Sequence, residues 1–68
     1  MTEESKLERA TRHVATAKRI IESQRSLIAH LKHKRLPTAA HEEALQAFER
    51  SLASFEEHEK RIRADKAN

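Results

Sequence analysis

The feature that most constrains this chain is the spacing of its apolar residues. Leu7, Ala10, Val14, Ala17, Ile21, Ile28 and Leu31 follow one another at alternating gaps of three and four, with Gln24 in the one polar place. That period belongs to a helix with one apolar stripe; a strand would alternate every second residue. With Leu7 as position a, the run reads as unbroken heptads whose a and d positions form a packing seam. A second run, Leu45, Phe48, Leu52, Phe55 and Ile62, repeats the spacing, with Glu59 where an apolar residue is due. Between them Leu36-Pro37-Thr38 breaks the pattern, because proline disfavours helical geometry in the residue before it. The expectation is an all-α chain with one domain over residues 1–68: a first helix over about 4–34, a turn at about 35–38 and a second helix over about 39–64. Thr38 is the expected N-cap of the second helix.

Two helices joined by so short a connection are antiparallel neighbours. The flanking charges give an independent reason. Lys32, Arg25 and Lys18 occupy e positions of the first helix, and Glu42, Glu49 and Glu56 occupy e positions of the second. Each seven-residue step back along the first helix is matched by a seven-residue step forward along the second, so one register pairs all three. The neighbouring core register sets Leu31 against Leu45, Ile28 against Phe48, Gln24 against Leu52, Ile21 against Phe55 and Val14 against Ile62. The reading is an antiparallel coiled-coil hairpin. Exposed pairs contribute at most about 1 kcal/mol each, so they select the register more than they stabilise it.

The chain has no glycine and no cysteine. It therefore lacks the residues that open phosphate-cradling loops, disulfides and thiolate metal sites. At 68 residues a lone domain is marginal, and oligomerisation is a usual remedy. A second apolar stripe suggests how. Ile20 and Leu27 lie at g positions beside the first seam, and Ala40, Ala44, Ala47, Ser51 and Ser54 form a ridge of small residues on the second helix. Aliphatic knobs from one chain entering the small-residue ridge of another would make a homodimeric four-helix bundle, with Gln24 as a polar layer near its centre. The alternatives are that a different helical protein docks on the same stripe, or that the stripe only widens the seam.

Other chemistries have simpler explanations. His30 and His33 are three apart, with His41 beyond the turn, but they fall at outward c and f positions and no cysteine completes a zinc set. Surface histidines explain them, and no metal or cofactor is expected. Glu56, Glu57, His58 and Glu59 make a solvated helix face without a nucleophile or pocket, so no enzyme is expected. The net charge is +3. Residues 1–35 carry nine Lys/Arg against four Glu, and residues 36–68 carry five against seven acids, so the first half is +5 and the second −2. Lys32-His33-Lys34-Arg35 could hold phosphate, which makes a nonspecific nucleic-acid-associated protein the runner-up. Both aromatics are assigned to the core, so no stacking platform for bases exists. No run is long and apolar enough to span a bilayer, and Met1-Thr2-Glu3-Glu4-Ser5 lacks the order of a signal peptide; a cytoplasmic protein without membrane association is expected.

Ile21-x-x-Gln24-Arg25-x-Leu27-Ile28-x-x-Leu31, then Thr38-Ala39 and Ala44-Leu45-x-x-Phe48-Glu49-x-Ser51-Leu52, resembles a group of short bacterial helical-hairpin proteins of unassigned function. The likeness spans about residues 13–58. It implies a bacterial origin and a stand-alone small protein, and supplies no catalytic or binding residues. Where a glycine-containing turn is often expected, this chain has Leu36-Pro37-Thr38. The functional expectation is a small non-enzymatic helical interaction module, an adaptor or regulatory subunit.

Overall fold

The computed structural model describes residues 4–67, with side chains through Asp65. Helix α1 spans Lys6–His33 and helix α2 spans Ala39–Ala67. Ser5 starts α1: its backbone is extended and its Oγ accepts from the Glu8 N–H at 3.0 Å, which satisfies one of the donors a helix N-terminus leaves open. α2 runs three residues past the expected end at Ala64.

The end of α1 explains how a hairpin turns without glycine. The Leu36 N–H donates to the Leu31 carbonyl at 2.9 Å and the Arg35 N–H to the Lys32 carbonyl at 3.0 Å. Those paired bonds are a Schellman closure, with Arg35 in the left-handed position at φ 59°. Pro37 follows, where it cannot continue the helix. The Thr38 carbonyl then accepts from the Glu42 N–H at 2.9 Å, the first helical bond of α2.

The two helices pack along their lengths as an antiparallel hairpin. Arg25 meets Glu49 at 3.1 Å and Lys32 meets Glu42 at 3.0 Å, as the e-position pattern predicts. Lys18 and Glu56 line one shallow depression, but no ion pair joins them among the described residues. Gln24 and Phe48 line one depression, Ala17 and Phe55 a second, and Ile21 and Leu52 a third.

Burial is lopsided. Ala10, Val14, Ala17, Ile21 and Ile28 of α1 are buried. Among the described residues, none of α2 is; Leu45, Phe48, Leu52, Phe55 and Ile62 are only half-buried. Small Ala10 and Ala17 let the larger α2 side chains lie over α1. Those side chains keep their outer surfaces open, because no third helix covers them.

Candidate interaction face

One flank of the hairpin carries an open groove of about 310 Å³, lined by His13, Thr16, Ala17 and Ile20 of α1 and by Phe48, Ser51 and Phe55 of α2. It continues past Thr16, Ile20 and Phe48 into a neighbouring depression that adds Arg19, Ser23 and Gln24. The helical period creates this face. Residues 13 and 20 stand one heptad apart on the side of α1 next to its buried stripe, and Phe48, Ser51 and Phe55 stand three to four apart on α2. The His13 ring rests against Phe55, with centroids 5.3 Å apart and planes tilted by 49°. Such tilted contacts are a favoured aromatic geometry.

The expected knobs are exposed: Ile20 is 40% and Leu27 38% accessible. Of the expected ridge, Ser51 joins Ile20 in the groove. Ala44 is half-buried, while Ala40 and Ala47 are exposed on α2. Ser54 is not brought to this groove; it lines a separate depression made only of α2 residues, with Ala53, Glu57, His58 and Arg61.

Five groove residues, His13, Thr16, Ala17, Phe48 and Phe55, lie outside the expected interface. Phe48 and Phe55 had been assigned wholly to the seam, although a two-helix seam cannot enclose a phenylalanine on all sides. His13 was missed, yet it stands one heptad before Ile20 in the same stripe as Leu27, which was the available signal.

Polar residues at the margins are satisfied within the hairpin. The Gln24 side-chain amide donates to His41 Nδ1 at 3.1 Å and to the His41 carbonyl at 3.4 Å. A carbonyl can only accept, so the Gln24 atom facing it is the NH₂ group. Gln24 is thus a clasp between the two helices of one chain. Glu59 accepts from Thr11 Oγ1 at 2.8 Å and from Arg63 at 3.5 Å, which accounts for a carboxylate in an apolar heptad position. At the open end Glu4 receives two bonds from Arg12, at 3.0 and 2.7 Å. The bonded Arg12 guanidinium holds the Glu4 carboxyl below its ordinary pKa.

His30 and His33 are exposed on α1, and His41 is engaged by Gln24. No described helix is long and apolar enough to cross a membrane. No family model, curated protein or solved structure matches the chain.

Proposed function

We propose that this protein is a non-enzymatic helical interaction module, an adaptor or regulatory subunit. Its working surface is the Ile20–Phe48–Phe55 face, and a second copy covers that face to complete a four-helix bundle. The observation that carries this reading is the open groove, floored by two phenylalanines and walled by an exposed isoleucine, on a hairpin with no buried α2 residue among the described residues.

Surface area supports the same reading. The hairpin is 52 × 26 × 13 Å, so it is one helix thick and open on both broad sides. It exposes 5677 Å², against about 4,400 Å² for a compact monomer of this mass. The surplus is on the order of 1,000 Å², comparable to the ~800 Å² that each partner of a standard interface buries. Fully covering Ile20 and Leu27 would contribute about 1.5–3 kcal/mol apiece. Binding to phosphate backbones is less well supported. Arg9, Arg12, Arg25, Lys32, Arg61 and Arg63 are all engaged by the chain's own carboxylates.

Replacing both Ile20 and Leu27 with Glu tests the reading by thermal melting at several protein concentrations. Unmodified protein should melt at a temperature that rises with concentration, as expected when folding is linked to association. The double variant should melt lower and independently of concentration. Equal melting of both proteins at every concentration contradicts the proposal. Retardation of DNA or RNA that weakens steeply with salt would favour the runner-up instead.

A further inference from the structure

The groove face can close on a copy of itself about either of two axes lying in the contact plane. An axis across the hairpin lays α1 on the partner's α1 and α2 on the partner's α2, with the turns at opposite ends. An axis along the hairpin lays α1 on the partner's α2, with both turns at one end. We infer that the two-fold axis runs along the hairpin, so that two copies point the same way and each α1 packs on the partner's α2. The inference rests on the dimer reading above, and two separate observations select the axis.

The first is shape. The exposed large side chains of this face, Ile20 and Leu27, both belong to α1, whereas on α2 Phe48 and Phe55 are half-buried in the groove floor and the residues beside them, Ala44, Ala47 and Ser51, are small. A crosswise axis sets aliphatic against aliphatic and small against small, which overpacks one half of the contact and leaves a void in the other. A lengthwise axis sets the exposed aliphatics of each copy against the small residues of the other. It also conserves height along the hairpin, and here the heights agree. Ile20 and Ser51 line the same groove within one chain, so Ile20 arrives over Ser51 of the second copy. By its distance from the centre of the turn, Leu27 arrives between Ala44 and Ala47.

The second is charge. Residues 1–35 carry +5 and residues 36–68 carry −2. The lengthwise axis places each basic helix over an acidic one, and the crosswise axis places the two basic helices together, a like-charge contact that interfaces avoid. The arrangement has a consequence for the turns. Both sets of exposed Lys34, Arg35 and Leu36 side chains come to a single end of the bundle, so that end is cationic with an apolar centre.

Because the chain has no cysteine, single spin labels can be placed cleanly at Ala64→Cys and, separately, Lys34→Cys; both positions are exposed. Helicity by circular dichroism matching the unmodified protein establishes that each variant folds. The lengthwise axis predicts label pairs closer than about 30 Å at both positions, within the width of a bundle two helices deep. A crosswise axis through the Ile20–Leu27 region separates the two Ala64 labels by roughly 45 Å, at 1.5 Å per residue. Sedimentation of the same samples keeps the two ideas apart. A dimer with the long Ala64 distance overturns the axis and leaves the dimer reading intact, whereas a monomer overturns both.

Discussion

At the scale of single residues, the hairpin is finished by polar groups placed where the heptads call for apolar ones. Gln24 and Glu59 both break the apolar pattern, and each finds a partner on the opposite helix: His41 for Gln24 and Thr11 for Glu59. Heptad counting locates such breaks but not their partners, because a long side chain reaches beyond the residue level with it. The contact between Glu4 and Arg12 at the start of α1 has a pH signature. Glu4 titrates below its ordinary value of 4.5, chiefly through the Arg12 hydrogen bond. A lowered carboxyl pKa means that the contact contributes above the ordinary value and is lost as pH falls through the folded one. NMR titration of the Glu4 carboxyl should therefore give a midpoint below 4.5, and Arg12→Gln should move it upward. A midpoint unmoved by that substitution would show that Arg12 is not the cause.

At the scale of elements, the turn is the most informative segment. Arg35 occupies a left-handed backbone position at φ 59°, where a side chain with a Cβ is strained by roughly 1 kcal/mol and glycine is not. Arg35→Gly should accordingly raise the unfolding free energy by about 0.5–1 kcal/mol in chemical denaturation; a lowered value would mean that the Arg35 side chain holds the turn. Pro37 marks the break plainly and Thr38 the start of α2, so both helices and their antiparallel pairing were legible in the chain. The closure of the turn was not: a Schellman closure with arginine in the glycine position leaves no compositional sign.

At the scale of the whole molecule, the hairpin is larger in extent than its mass warrants. Its radius of gyration is 15.8 Å, against about 11 Å for a compact domain of this length. Such a slab leaves its second apolar stripe uncovered. Ile20 and Ser51, which meet in the groove, were legible as parts of that stripe, since helical spacing alone assigns a face. Ser54 lines a different depression, and His13 carries no apolar signal because histidine does not register as apolar. The central claim is that a second copy covers this face. Sedimentation equilibrium over a wide concentration range tests it most directly. The account predicts a mass twice the 7.9 kDa of one chain, falling to the single-chain value when Ile20 and Leu27 are replaced with Glu. A single-chain mass for the unmodified protein at every concentration, with cooperative melting retained, would contradict it.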